Sequence, residues 1–167
     1  MDKNILKSIK KNLKMFDREK VHIADSMIFS KLSYFSDELM CANHYIENKP
    51  DEEKKPDILE IYEERKEESV SELKHFEPIH KFVGYVEHQY LKKTKMMLIY
   101  EDNDYIKDLK DIGIKEMSLS IDHVASFFEE RKKILIGTPK VKAKLEGEYN
   151  ITIEILKLLQ SFLVNIN

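Results

Sequence analysis

Between residues 18 and 46, apolar side chains recur every three or four positions: Val21, Ala24, Ile28, Leu32, Phe35, Leu39, Ala42 and Ile46. On an α-helix this spacing draws one continuous apolar stripe about seven turns long. A stripe of that length needs partners of similar length to cover it, so it constrains the whole chain. Asp17 stands where an N-cap would be.

The same period recurs elsewhere. Ile5, Leu6, Ile9, Leu13 and Phe16 predict a first helix over about 3–16, and Leu59, Tyr62, Val70, Leu73 and Phe76 a third over about 57–76. Pro78 fits the first position of a fourth helix, with Ile79, Val83, Val86, Tyr90, Met97 and Leu98 inward, running to about Tyr100. A short fifth helix over about 104–112 ends at Gly113, and Ser118 or Ser120 caps a sixth that carries Ile121, Val124, Phe127, Phe128, Ile134 and Leu135. The sixth stops at 137–139, GTP.

Residues 48–57, with two prolines and dense charge, read as a loop. Residues 141–155 alternate polar and apolar as a half-buried strand or hairpin would, yet Val141, Leu145, Tyr149, Thr152, Leu156, Leu159, Leu163 and Ile166 also fit one helix face. The helix is favoured, because the period continues past 155 where the alternation fails and a lone hairpin is marginal; Gly147 is a place for a kink. Only 4 Gly and 4 Pro are present among 167 residues, too few for a turn-rich β fold. The expected architecture is a single all-α domain, 1–167, an antiparallel helical bundle of about five to seven helices.

Charge narrows the function classes. With 28 basic and 31 acidic residues, interspersed along the chain, the net charge of −3 offers no broad positive face, so no nucleic-acid partner is expected. Arginine occurs only at Arg18, Arg65 and Arg131, which leaves few bidentate forks for phosphate or carboxylate. The start, MDKNILKSIKK, lacks the apolar core of a signal peptide, and the longest uncharged run, 158–167, is half a membrane span. Together with a single cysteine, Cys41, read as a small buried hydrophobe, this predicts a cytoplasmic chain with no membrane partner.

The 6 histidines, at 22, 44, 75, 80, 88 and 123, are the main source of chemistry. Two side chains on one helix share an ion readily only three or four residues apart, and no two histidines have that spacing. Histidine and carboxylate do: Glu19 with His22, His22 with Asp25, His44 with Glu47, Glu72 with His75, and Glu77 with His80. Ferritin-like di-iron proteins use such Glu-x-x-His pairs. Composition alone would place four or five acids at these positions, so their number is not enriched.

Topology adds an argument. If the second, third and fourth helices are antiparallel, Glu19, His22, Glu72, His75, Glu77 and His80 meet at one corner as six potential ligands for iron, zinc or manganese. Solvated helix ends would also collect such residues. His88 or His123 could serve as an axial haem ligand, Cys41 and His44 supply two ligands but no complete set, and Phe127, Phe128, Met96, Met97 and Tyr90 are candidates to line an apolar ligand pocket.

Two family patterns bear on this. The chain is similar to hemerythrin-like proteins in its histidine-rich helical composition, but the HxxxH and HxxxxD pairs of that di-iron site are absent. Glu63, Glu64 and Glu67 followed by Glu101 and Asp104 resemble the EExxE and ExxD pairs of the all-α nucleoside triphosphate pyrophosphatases, which implies a magnesium-dependent activity on a nucleotide. Finally, Ile151, Ile153, Ile155, Leu156, Leu158, Leu159, Phe162, Leu163, Val164 and Ile166 cover more than one face of the last helix. Either that helix runs through the middle of the bundle, or 151–166 meets a protein partner or a second copy in a homodimer.

The residues thus predict a regulatory or sensory module that acts by binding, with no catalysis and no cofactor of its own. The alternatives are a metal-carboxylate bundle holding iron or zinc at the six-residue corner, and the pyrophosphatase.

Overall fold

The computed structural model describes residues 1–48, 55–93 and 102–164. Over these the chain forms six α-helices and no strand: α1 Lys3–Lys11, α2 Arg18–Asn48, α3 Pro56–Lys93, α4 Asp102–Lys110, α5 Ile114–Lys132 and α6 Pro139–Val164. The all-α bundle expected from the periodicity is the observed fold. The centre of the loop expected at 48–57, and the last turns of the helix expected to reach Tyr100, lie outside the described residues.

Helix starts follow capping chemistry. Asp2 Oδ1 accepts from the Asn4 amide at 2.9 Å and opens α1, and Asp17 Oδ1 accepts from the Lys20 amide at 3.1 Å and opens α2. The first expected helix is interrupted after Lys11, and a 3₁₀ turn, Leu13–Met15, delivers Phe16 to the core, stacked on Phe162 with centroids 5.6 Å apart. Tyr85 Oη donates to Leu6 O at 3.0 Å, and Tyr90 Oη donates to the carbonyls of Leu13 and Phe16. The N-terminal layer is thereby fixed across the end of α3.

The third and fourth expected helices are one. Pro78 lies inside α3, where it lacks the N–H that Lys74 O would accept. The helix continues because Leu73, Phe76, Ile79, Val83 and Val86 hold one buried stripe in phase across the proline. An interior proline costs about 3 kcal/mol, and each fully buried side chain of this size returns about 1.5–3 kcal/mol. On the N-terminal half the phase differs from expectation: Val70 is exposed and Ser69 is buried.

Two other boundaries move. Gly113 does not end α4 in a left-handed turn; its φ of −69° and ψ of 153° make it the extended residue before α5. Ser118 and Ser120 then fall inside α5 and cap nothing. Between α5 and α6, Gly137 has φ of +127°, Thr138 Oγ1 accepts from the Val141 amide at 3.3 Å, and Pro139 takes the first helical position.

The ambiguous segment 141–155 is helical. α6 buries Tyr149, Thr152, Ile153, Ile155, Leu156, Leu159, Phe162 and Leu163, so most of its broad apolar surface is covered within this chain, with Val164 exposed. Contacts at 22–87, 35–76 and 45–62 run α2 and α3 in opposite directions, and those at 122–160 and 132–150 do the same for α5 and α6. The helices meet at an aromatic cluster in which Phe35–Phe76, Phe76–Phe127, Phe127–Phe128 and Phe128–Tyr149 centroids lie 5.5, 5.2, 5.5 and 5.3 Å apart.

Candidate functional site

α3 carries polar side chains on two flanks of its buried stripe, and each flank faces a different helix. Towards α2, His22 and Asp25 stand one turn apart opposite His80 and Glu87 of α3. His22 Nδ1 is 2.6 Å from Glu87 Oε1, Glu87 and Asp25 share a hydrogen bond, and His80 Nε2 is 3.6 Å from Asp25 Oδ1. The four groups form a chain of contacts, with the Phe29 ring 5.4 Å from that of His80.

Burial, and then the hydrogen bond and charge of Glu87, push the Asp25 carboxyl up to about 8, so Asp25 is protonated at neutral pH and donates to Glu87. Burial would raise Glu87 as well, but the hydrogen bonds from Asp25 and His22, with the charges of His22 and Arg18, outweigh it and hold Glu87 below the usual carboxylate range. Burial lowers His80, opposed by Glu87 and aided by Lys81. Asp25 Oδ1 is buried with no hydrogen-bond partner.

Towards α5, His75 Nδ1 hydrogen-bonds Ser120 Oγ at 3.0 Å, His123 Nε2 meets Glu72 Oε2 at 2.9 Å, and the two imidazoles stack at 4.2 Å. Burial lowers His75, and His123 and Lys74 add to the effect against Glu72. Glu72 orients His123 and not His75, and the Ser120 hydroxyl is buried against its own seam, so the order serine, histidine, carboxylate of a nucleophilic relay is not made.

The six expected ligands therefore separate. His22 and His80 face the α2–α3 seam, Glu72 and His75 face α5, and Glu19 and Glu77 are exposed. The corner that would have gathered them does not exist, because helix passes straight through 77 and 78. Among the described residues no group of three or more His, Cys, Asp or Glu is arranged to hold a metal ion. Glu87 was missed by the sequence because its partners lie on another helix, 65 positions away in the case of His22.

The remaining candidates also disperse. Cys41 is exposed and not buried, and His44 is exposed beside Asn48. His88 is buried in α3, while His123 is engaged by Glu72. Of the proposed apolar pocket, Phe127 and Phe128 join the central aromatic cluster and Tyr90 caps the N-terminal layer at the other end of α3; Met96 and Met97 lie outside the described residues. Glu63, Glu64 and Glu67 are exposed, and Glu63 and Glu67 border a surface depression of about 650 Å³ with Ile46, Lys66, Val70, Ser71 and Lys74. Glu101 and the side chain of Asp104 lie outside the described residues.

No helix among the described residues is long and apolar enough to cross a membrane. No family model matches the chain, and no similar protein is found among curated proteins or solved structures.

Proposed function

We propose that this chain is a cytoplasmic regulatory or sensory module that acts by binding a protein partner, a second copy or a small ligand, with no chemistry of its own. The observation that supports this reading is the use of its reactive side chains as contacts across helix seams. His22 with Glu87, His75 with Ser120 and His123 with Glu72 each tie α3 to a neighbour, which is a structural use of polar groups. Binding then falls to the surface, where Phe29 and Met40 remain about half or more exposed, at 54% and 66%. They lie eleven residues apart on α2, about three turns, and so share a face.

A second reading is favoured by Asp25. Its unpartnered Oδ1, next to His80 and bonded to a second carboxylate that itself meets His22, gives two nitrogens and two carboxylates along one seam. These donor types suit zinc, iron or manganese, but the side chains do not converge as they stand; they would have to rotate to share an ion, which would displace the proton that the two carboxylates share. Elemental analysis of freshly purified protein separates the two. The binding module contains no stoichiometric metal; near-stoichiometric zinc, iron or manganese, lost in an Asp25→Asn, His80→Ala variant, would establish the second reading instead.

A further inference from the structure

The turn joining α5 to α6 is locally basic, as is 3–16, but here exposed apolar side chains stand among the charges. Residues 131–144, RKKILIGTPKVKAK, hold six basic and no acidic side chains in a chain of net charge −3. Three of the six are engaged: Arg131 lies over the Phe127 ring at 5.0 Å, Lys132 meets Glu129 at 3.0 Å, and Lys133 meets Glu130 at 3.1 Å. Lys140, Lys142 and Lys144 project from the exposed first turns of α6, at the end where the helix dipole is positive.

Apolar side chains stand among these charges. Ile134, Ile136 and Val141 are exposed at 62%, 87% and 47%, and Ile136 is the most exposed large apolar side chain of the described residues. The turn that presents them is fixed by the positive φ of Gly137 and by the Thr138 cap, and a Cβ at Gly137 would stand 3.3 Å from Val141 Cγ1, so the two sides of the turn touch. On α6, Val141 and Leu145 form a stripe flanked by Lys140 and Lys144 on one side and Lys142 on the other.

We propose that this tip docks on an anionic phospholipid surface, with Ile134, Ile136 and Val141 entering the headgroup layer and Lys140, Lys142 and Lys144 lying over the phosphates. Exposed aliphatic groups ringed by lysine stems gain from partial burial at a bilayer boundary, where lysines can keep their ammonium groups in water. Lysine point charges suit a diffuse anionic surface better than the planar, bidentate geometry that arginine reads. The expectation of no membrane partner rested on the lack of a spanning segment, a separate matter. The docking is independent of any protein or small ligand bound elsewhere.

The test is co-sedimentation of the full chain with phosphatidylcholine vesicles, with and without phosphatidylserine, at low and high salt. Two variants accompany it, Lys140→Gln/Lys142→Gln/Lys144→Gln and Ile134→Ser/Ile136→Ser, each checked for an unchanged unfolding midpoint. The wild type should bind only the phosphatidylserine vesicles and be released by salt. The lysine variant should lose about fivefold in affinity per lysine, and the isoleucine variant at least about threefold. No binding, equal binding to both vesicle types, or an isoleucine variant that binds as well as wild type would overturn the proposal. Retention of both the wild type and the isoleucine variant on duplex DNA or polyglutamate, without vesicle binding, would instead make the tip a polyanion site.

Discussion

Asp25 and Glu87 face each other across the α2–α3 seam, and one proton between them decides whether that contact attracts or repels. The Asp25 carboxyl is raised from 3.8 to about 8, so the folded state holds a proton that the unfolded chain releases. Its contribution is complete below pH 3.8 and is lost as pH rises towards 8, at up to about 1.4 kcal/mol per pH unit. His75 and His80, both lowered from 6.5 by burial, act in the opposite sense, an effect that fades above that value and is common to wild type and Asp25→Asn. Asp25→Asn keeps a neutral donor towards Glu87 without the proton. Denaturant unfolding from pH 6.5 to 8 should therefore show wild-type stability falling relative to Asp25→Asn, with the variant at least as stable at pH 8; parallel curves would refute the shared proton. At this scale the sequence was informative about kinds of residue but not about partners. His22 and Asp25 were visible as a pair one turn apart, whereas Glu87 and Ser120 acquire their roles only when α3 packs on α2 and α5.

Among the elements, α3 shows how a long-range stripe overrides a local signal. Pro78 favours a break, yet the apolar phase from Leu73 to Val86 is unbroken and the helix follows the stripe. Pro78→Ala restores a donor to the Lys74 carbonyl and should raise stability by about 1–3 kcal/mol, read as a shift in the denaturation midpoint. The two glycines near the start of α6 should respond in opposite directions. A Cβ at Gly147 meets nothing within 4 Å inside a regular helix, so Gly147→Ala should stabilise by about 0.5–1 kcal/mol. At Gly137 the φ of +127° makes Gly137→Ala destabilising by about 1–3 kcal/mol. Helix existence was legible throughout from the three-and-four spacing, including α6, where alternation competed. Boundaries were less legible: serines at 118 and 120 looked like caps, but Gly113 starts α5 about one and a half to two turns earlier and turns Ser120 into the partner of His75.

For the molecule as a whole, the aromatic cluster is where α2, α3, α5 and α6 meet, and Phe76 touches Phe35, Phe127 and Phe128 within it. Phe76→Ala should cost about 3–5 kcal/mol and lower the cooperativity of unfolding, since it removes contacts to rings on both α2 and α5. Net charge misled at this scale. A net charge near zero averages over local runs of one sign, the acidic flank of α3 at Glu60, Glu63, Glu64, Glu67 and Glu68 and the basic tip at 131–144. The broad apolar surface of the last helix was read as either central or shared with another chain; most of it is buried within this chain, while Val164 is exposed. The claim underlying this account is that the polar seams hold helices together without a metal. Guanidinium unfolding of protein purified without chelator, run with and without EDTA, tests it directly. The account predicts superimposable curves, and a loss of about 1 kcal/mol or more in EDTA, restored by zinc, iron or manganese, would contradict it.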